Sequence, residues 1–483
     1  MSDSTLAWWL GGATVALPFA AVLPLLFLGG IGAKPSERAT ARAVLVLCGL
    51  STLSAIGLAA LWLAHDGPLV LRYGSIFDLG PRGHALATGD HGAAGYRFEV
   101  DLLVDRLSAT MSVLSGVLSW LTARFSVRYL HREPGFFRYF LLLALFVGGM
   151  QIAVLAGSYD LLFVGWELAG ISSMLLIAFF HLRRGPARAA TRAMLTYRVT
   201  DVGLLVAGVL LHHFAGSSGF FDAFEHRAWP EAQTHLASSR AFVISAALVF
   251  AAIGKSALFP LGTWLPRAME GPTPSSALFY GGLAVHAGVY LLLRSAPLIA
   301  ASHAATVLVA FVGIATALWA TIAGRTRSDV KSSLAYATVT QVGLMVVGVA
   351  LRLYNVVLLY MVAHACLRTL QLLRAPSALH DAEAIRAALE EQRGDDRSIV
   401  ERLVPAVIAR RAHALALEDF HMDAVVERVI VRPVLALSSA LDRAERRWVA
   451  AMTGVDLDAP TSASDEPELD RKSDAPRAVE GRS

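Results

Sequence analysis

The sequence is poor in charge and in cysteine. Charged residues make up 17% of its 483 positions, whereas soluble globular domains carry roughly 25%. The two cysteines, Cys48 and Cys366, both fall inside apolar runs, so they provide neither a disulfide framework nor a metal cluster. Redox chemistry is therefore not indicated, and we expect no metal site, cofactor or catalytic group in this chain.

The sequence is rich in apolar residues. They make up 55% of the chain, and the mean hydropathy is +0.54. Runs of about twenty apolar residues can cross a bilayer roughly 30 Å thick as helices, so the sequence predicts an all-α integral membrane protein. The first run follows acidic Asp3 and is too long for a signal-peptide core, so we expect it to be a retained membrane span. We predict eleven spans, at about 8–31, 43–64, 103–123, 137–157, 160–181, 193–214, 241–262, 275–294, 303–323, 332–351 and 354–374.

Basic residues are distributed unevenly over the predicted loops. Two alternate loops are the most basic, with Arg124, Arg128, Arg132 and Arg138 after the third span and Arg183, Arg184, Arg188 and Arg192 after the fifth. Lysine and arginine concentrate in the cytoplasmic loops of membrane proteins. We therefore predict a multi-pass protein of the bacterial inner membrane, with its N-terminus outside and everything after residue 374 in the cytoplasm.

The composition changes after residue 374, where charges of both signs replace the apolar runs. We predict a membrane domain over 1–374, cytoplasmic or interfacial amphipathic helices over 375–454 and a disordered tail over 455–483. Residues 423–450 have apolar positions three and four apart with arginines on other faces, which is typical of a helix lying on a surface. That surface is either the bilayer or a partner subunit.

Titratable side chains lie inside five of the predicted spans. A charge at bilayer depth costs at least about 2.5–3.5 kcal/mol, and such groups mark ion paths and proton relays. Lys255 also precedes four prolines, at 260, 266, 272 and 274, which break a helix and expose carbonyls to water. The pattern predicts a polar axis for protons, formed by Glu167, Asp201, Lys255, His286, and His364 with Arg368.

Each of these residues has a structural alternative. Glu167 and Lys255 can form a buried ion pair that only joins two helices, and Asp201 can pair locally with Arg198. His286 alone can be a core histidine bonded to a backbone carbonyl. Arg368, six residues before the end of its span, can extend its long side chain to the headgroups.

Six stretches resemble, in order, the motifs of the antiporter-like subunits of respiratory complex I, the L-type (chain 5) subunit above all. The resemblance covers roughly residues 95–374 and implies two inverted five-helix repeats, each with a discontinuous helix, and proton movement along a mid-membrane axis. The stretches are "LLFVGWELAGISSMLLIAFF", "TYRVTDVGLLVAGVLL", "AAIGKSALFPLGTWLPRAMEGPTPSSAL", "HAGVYLLLR", "RSDVKSSLAYATVTQVGLMVVGVAL" and "HACLRTLQLL".

The resemblance also assigns roles to positions. Glu167 stands where the family has a carboxylate that modulates the proton-holding lysine, and Lys255 stands at that lysine. His286 matches the connecting histidine, and His364 falls on a family histidine. Lys331 matches the lysine of the "DVKSSLAY" motif. Arg368 stands where the family usually has lysine, and arginine does not readily give up a proton in a protein, so we expect an electrostatic latch there.

Two further expectations concern partners. The L-type subunit continues with more spans and a lateral helix, whereas this sequence turns polar after about residue 374. It thereby resembles the membrane subunit of the two-part Dab inorganic-carbon transporter, which implies a cytoplasmic zinc partner similar to a β-carbonic anhydrase, with the zinc in that partner alone. The alternatives are a subunit of the proton-translocating NADH-quinone oxidoreductase, a cation/proton antiporter subunit and a structural anchor. No nucleic-acid partner is expected.

Overall fold

The computed structural model describes residues 3–33, 35–78, 96–227, 229–327, 329–375, 411 and 414–453. The chain divides into two units, Met1–Ile430 and Val431–Ser483. The predicted tail over 455–483 and most of the predicted segment 375–454 before residue 414 lie outside the described residues.

Helices account for nearly all of the first unit, as predicted. Ten helical segments in the described part of the chain are long and apolar enough to cross a membrane, which confirms an all-α, multi-pass membrane protein. In chain order the α-helices are α1 (Asp3–Gly30), α2 (Glu37–Leu63), α3 (Arg106–Tyr129), α4 (Phe136–Leu155), α5 (Tyr159–Ile177), α6 (Arg184–Ala215), α7 (Phe220–Ala223), α8 (Ser238–Lys255), α9 (Trp264–Arg267), α10 (Thr273–Ser275), α11 (Ala287–Arg294), α12 (Ala296–Ala300), α13 (His303–Gly324), α14 (Val330–Ala350), α15 (Tyr354–Leu373), α16 (Met422–Val426) and α17 (Arg432–Thr453).

The remaining predicted span, 103–123, is present as α3 but is not among those ten. Its helix is long enough to cross a bilayer, yet one face carries serines that lower its hydropathy. These serines are spaced three, four or seven residues apart, so they share that face, and all are buried: Ser108, Ser112, Ser115, Ser119 and Ser126.

The inverted-repeat relationship stays a prediction.

A two-stranded hairpin precedes α3 and was missed by the sequence prediction. Strands β1 (Leu69–Asp78) and β2 (Arg97–Val104) pair antiparallel, with Leu69 opposite Val104. The buried residues Leu102, Leu103 and Val104 belong to β2, so the predicted span began too early. Asp105 then caps α3 by accepting a hydrogen bond from the Ser108 amide at 2.9 Å. We call the end of the bundle that carries this hairpin the hairpin side.

Neighbouring helices approach closely where small residues face each other. Between α4 and α5, a Cβ built on Gly165 would lie 2.3 Å from the Ala153 amide nitrogen, so only glycine fits there. Close backbone contact of this kind is how helices pack in a bilayer, where lipid offers no hydrophobic drive to associate. The packing fixes the relative position of α5, which carries Glu167.

Two helical segments are interrupted inside the bundle. Helix α8 ends at Lys255 and residues 256–263 are not helical before α9 begins. The predicted break after Lys255 is confirmed, although the predicted span 241–262 ended too late. The segment Thr273–Arg294 is interrupted as well, because Ser276–Gly282 forms a π-helix and Leu283 departs from helical geometry, with φ −124° and ψ −61°. A short 3₁₀ turn, Ala284–His286, follows that second break.

A C-terminal segment is fastened to the bundle end opposite the hairpin by ion pairs. Asp419 pairs with Arg327 and accepts a hydrogen bond from the Tyr336 hydroxyl at 2.5 Å. Asp423 pairs with Arg192 at 2.6 Å and also with Arg267. Three acidic positions thus hold the segment, since Glu427 contacts the same Arg192 at 3.2 Å.

The second unit contains α17, which follows a π-helical turn, Glu427–Val431. The predicted helix over 423–450 is therefore present. Along α17 several large apolar side chains are exposed, among them Leu437, Leu441 and Trp448. Charged residues occupy other faces, so the helix is amphipathic.

Candidate functional site

Lys255 is buried in an aromatic pocket at the last turn of α8. Only 2% of the residue is exposed. Its Nζ donates a hydrogen bond to the Trp166 carbonyl oxygen at 2.9 Å and lies 4.8 Å from the Trp166 ring centroid and 4.7 Å from that of Tyr197. Such ring faces attract a cation. A Cβ at Gly170 would lie 2.7 Å from Nζ, so glycine makes room for the ammonium group.

Two carboxylates lie beside this pocket, and Trp166 connects one of them to the lysine. The Trp166 indole Nε1 donates to Asp201 Oδ1 at 2.6 Å, while its carbonyl binds Lys255. Glu167 follows Trp166 directly in the chain. Within the described residues neither carboxylate forms a direct ion pair with it. A backbone carbonyl and two aromatic rings therefore contact the lysine ammonium group directly, and Trp166 lies between it and the Asp201 carboxylate.

Neither of the two predicted pairings of these carboxylates is present among the described residues. The predicted alternative of a Glu167–Lys255 ion pair is wrong, and so is local pairing of Asp201 with Arg198. Arg198 on α6 pairs instead with Glu167 on α5, because the two helices lie side by side. The Glu167 Oε1 oxygen is buried without a hydrogen-bond partner among the described residues. A buried unpaired carboxylate oxygen is costly, so the ion pair leaves Glu167 only partly satisfied.

A second cluster forms where the interrupted segment Thr273–Arg294 meets α15. His286 Nε2 and His364 Nδ1 are 2.9 Å apart, and His286 Nδ1 is 2.9 Å from the Gly282 carbonyl oxygen. Arg368 Nε donates to His364 Nε2 at 3.3 Å, and its Nη1 donates to Gln371 Oε1 at 2.9 Å. Arg368 is thus buried against His364 instead of extending to the headgroups. His286 has both a backbone partner and a titratable one.

Ser256 joins the two clusters across the two helix breaks. It follows Lys255 directly, and its hydroxyl donates to the Val285 carbonyl oxygen at 2.6 Å and accepts from the Gly288 amide at 2.9 Å. The bonded positions flank His286. The two interruptions, which are separated by about twenty residues in sequence, therefore meet at one hydroxyl. The polar axis for protons stays a prediction.

Lys331 lies elsewhere in the bundle. It is the second residue of α14, two positions after the helix cap Asp329, and is partly exposed. The site residues that sequence reasoning missed are Trp166, Tyr197 and Ser256. None of them carries a charge inside a span, so nothing in the sequence distinguishes them from ordinary core residues.

The hairpin side contains a polar cavity of about 180 Å³ that was also missed. Its lining brings strand β2 next to the ends of α5 and α6. The pKa of Asp101 is raised from its ordinary 3.8 to about 6. Burial is the main cause and the negative charge of Glu99 adds to it, while the positive charge of Arg72 lowers the pKa. The titratable lining residues are Arg72, Arg97, Glu99, Asp101, Asp160, His212 and Asp222.

The raised pKa of Asp101 predicts a pH-dependent stability. A carboxyl whose pKa is higher in the folded state stabilises the fold below about pH 3.8, and this contribution is lost as pH rises through about 6. We expect Asp101→Asn to become more stable relative to the parent as pH rises from about 4 to about 7. Melting temperatures of both proteins in the same detergent measure this difference. Parallel pH profiles would show that Asp101 titrates normally.

Comparison with known families agrees with this architecture. The family described as "NADH:quinone oxidoreductase/Mrp antiporter, TM" matches residues 156–393, and the one described as "NADH-Ubiquinone oxidoreductase (complex I), chain 5 N-terminus" matches residues 92–140. The chain belongs to the antiporter-like subunit family. These matches confirm the resemblance to the antiporter-like subunits, and residues 156–393 include every predicted site residue.

Relatives in the antiporter-like family are longer than this chain. It is 33% identical over 373 residues to NAD(P)H-quinone oxidoreductase chain 5 of Picosynechococcus sp., covering 75% of this chain and 54% of the relative. It is 38% identical over 285 residues to NADH-ubiquinone oxidoreductase chain 5 of Allomyces macrogynus, covering 58% of this chain and 44% of the relative. The chain thus spans about half the length of these curated relatives.

Solved structures of membrane complexes share the fold. A chain of the Mrp complex from Dietzia sp. superposes with a TM-score of 0.58 at 25% identity, over 76% of this chain and 36% of that chain. A chain of the membrane-bound sulfane sulfur reductase, an archaeal respiratory membrane complex, superposes with a TM-score of 0.59 at 21% identity, over 74% and 69%. The second match concerns the fold alone, because one fold hosts many functions.

Proposed function

We propose that this antiporter-like chain is a proton-conducting membrane subunit that couples proton flow to a partner. The observation that carries the proposal is the burial of Lys255 at a helix break, beside two carboxylates and one residue before the serine that bonds on both sides of His286. Ionisable groups at bilayer depth are kept where they serve proton relays or ion paths. Lysine and histidine both exchange protons when their surroundings change.

The Glu167–Arg198 ion pair gives the relay a control element. Burial favours a neutral lysine, whereas a nearby carboxylate charge favours the ammonium form. While Arg198 holds Glu167, it offsets the carboxylate charge. Opening of the ion pair exposes Lys255 to that charge and favours proton uptake, and closing favours release toward Ser256 and the histidine pair. Water bonded to the open backbone of residues 256–263 would carry the proton between them.

Glu167 variants test this role. We expect Glu167→Gln to impair proton flux more than Glu167→Asp, because the proposed role depends on charge rather than on side-chain length. Vesicles containing each variant and a pH-sensitive dye measure the flux. Equal tolerance of both substitutions would favour a purely structural role for the carboxylate.

The identity of the partner is a finer proposal. We propose an energy-coupled inorganic-carbon transporter, in which a cytoplasmic zinc protein similar to a β-carbonic anhydrase hydrates CO₂ with zinc of its own. Its support is the order of the sequence motifs followed by a charged segment from residue 375, and the exposed apolar residues of α17. The proposed location is the bacterial inner membrane, with the N-terminus outside and the C-terminus in the cytoplasm.

Two other assignments have an observation in their favour. The names of the relatives favour an L-type subunit of NADH-quinone oxidoreductase, and the Mrp neighbour favours a cation/proton antiporter subunit. Both of these alternative assignments place other membrane subunits beside this chain. The Arg198 side chain, 41% exposed near the middle of α6, agrees with that, since a charge facing lipid is costly.

Purification of the tagged full chain from its native membrane distinguishes these assignments. Mass spectrometry of the co-purifying proteins identifies the partner. Recovery of a zinc protein supports the carbon transporter. A set of respiratory subunits would instead assign the chain to NADH-quinone oxidoreductase, and a set of antiporter subunits to a cation/proton exchanger.

A further inference from the structure

We propose that Arg368 is a gate that holds the His286–His364 pair in one tautomeric state and closes the pair to protons. The inference about tautomers follows from the hydrogen bonds of the second cluster. Its consequence for proton flux rests on the proposed function.

The direction of the hydrogen bonds is fixed at the arginine. A guanidinium group has five N–H donors and no acceptor, and it is not deprotonated in proteins. Arg368 Nε is 3.3 Å from His364 Nε2. The Nε2 atom must therefore present its lone pair, because a proton on it would set two donors against each other.

The unprotonated Nε2 of His364 determines the direction of the remaining hydrogen bonds in the series. His364, without a proton on Nε2, carries it on Nδ1 and donates to His286 Nε2 at 2.9 Å. His286 then carries its proton on Nδ1 and donates to the Gly282 carbonyl oxygen at 2.9 Å. Both histidines are buried, where an unmatched nitrogen is costly. Every donor points the same way, from α15 toward the break at Leu283.

This arrangement leaves the histidine pair without a free basic nitrogen. Both unprotonated nitrogens already accept a hydrogen bond, one from Arg368 and one from His364. Uptake of a proton from water requires the guanidinium to leave His364 Nε2, which then binds the proton and becomes an imidazolium. Gln371, three residues further along α15, already accepts from Arg368 Nη1 at 2.9 Å and offers the displaced guanidinium a second anchor.

A lysine at position 368 would behave differently. It would also donate to His364 Nε2, but it can transfer that proton to the histidine and become neutral. Arginine keeps its proton and acts only by its position. Arg368 is thus a positioning residue that controls when the histidine pair opens.

Nitrogen NMR of the full chain in lipid bilayers, with ¹⁵N-labelled histidine, tests the tautomers. Protonated and unprotonated imidazole nitrogens have distinct shifts, and loss of signals in His364→Asn and His286→Asn assigns the pair. In the parent we expect both histidines to be protonated on Nδ1 only. A proton on Nε2 of His364 in the parent would overturn the proposal, and this result needs no folded variant at position 368.

Two variants then separate gating from packing. Arg368→Met removes the donor, so we expect His364 to populate the Nε2-protonated tautomer, whereas Arg368→Lys retains the parent tautomer. Arg374→Met, an exposed arginine at the end of the same helix, is the matched control and should leave the histidine spectrum unchanged. Unchanged tautomers in Arg368→Met would overturn the gate.

Proton leak gives the functional readout. In vesicles with a pH-sensitive dye, Arg368→Lys should raise uncoupled leak several-fold over the parent and over Arg374→Met. Parent-like leak in Arg368→Lys would contradict gating. Absence of any proton flux in the parent assembly would overturn the proposed function, while the NMR measurement decides the tautomers independently.

Discussion

Replacement of Lys255 by alanine is expected to abolish proton conduction while the protein still inserts into the membrane. The substitution removes the titrating group from an aromatic pocket but leaves the hydrogen bond between Trp166 and Asp201 in place. Loss of a positioned proton-transfer group typically costs about 10²–10⁴-fold in rate, so we expect a loss of at least about 100-fold. Lys255→Arg should fail as well, because arginine keeps the charge but does not release a proton.

A matched control for Lys255 is available on the same helix. Ser245 on α8 is buried, and its hydroxyl has no hydrogen-bond partner among the described residues, so Ser245→Ala should retain flux. Dye-detected proton flux in vesicles, normalised to inserted protein, compares the three variants. Parent-like flux in Lys255→Ala at normal insertion would disprove the relay.

The largest expected effect on stability concerns Asp105 and Arg294. Their side chains are 1% and 2% exposed and form bonds of 2.5 and 3.1 Å, with the Tyr290 hydroxyl accepting from the same guanidinium at 3.2 Å. The pair ties the start of α3 to the end of α11. Breaking a buried pair by removing one partner costs about 3–5 kcal/mol, because the other charge stays buried and unpaired. We expect this loss in Arg294→Met and in Asp105→Asn.

The double variant distinguishes unpaired charge from lost packing. Asp105→Asn retains an oxygen for the Ser108 cap while removing the charge. Combined with Arg294→Met it leaves no buried charge unpaired, so the double variant should lose much less than the sum of the single variants. Free energies of unfolding in mixed micelles measure all three. Single effects below about 1 kcal/mol, or strict additivity, would contradict a buried charge pair.

The sequence located the titratable residues of the site but not their partners. A charge inside an apolar run is visible locally, since the bilayer makes each one costly, and Glu167, Lys255 and His286 were found in this way. Their contacts depend on which helices lie side by side. Arg198 therefore pairs with Glu167 rather than with Asp201 three residues away, and Trp166 binds Lys255 through a carbonyl that no sequence pattern reveals.

The helix breaks and the hairpin also differ in how far the local sequence predicts them. The break after Lys255 was predictable because proline removes a backbone donor. The break at Leu283 has no proline beside it and arises where a π-helix ends at Gly281 and Gly282, since glycine pairs and π-helical turns both kink helices. A glycine pair is a weaker sequence signal than four prolines. The hairpin was missed because the apolar residues of β2 directly precede α3 and were read as part of the predicted span 103–123.

The central claim is that the chain conducts protons as one subunit of an assembly. The most direct test is proton flux in vesicles reconstituted with the assembly purified from native membrane, in buffers without sodium and with potassium held equal on both sides. We predict a pH change that follows an imposed proton gradient, is unaffected by added sodium and is absent in Lys255→Ala. A pH response that requires sodium, or one that persists in Lys255→Ala, would contradict the claim.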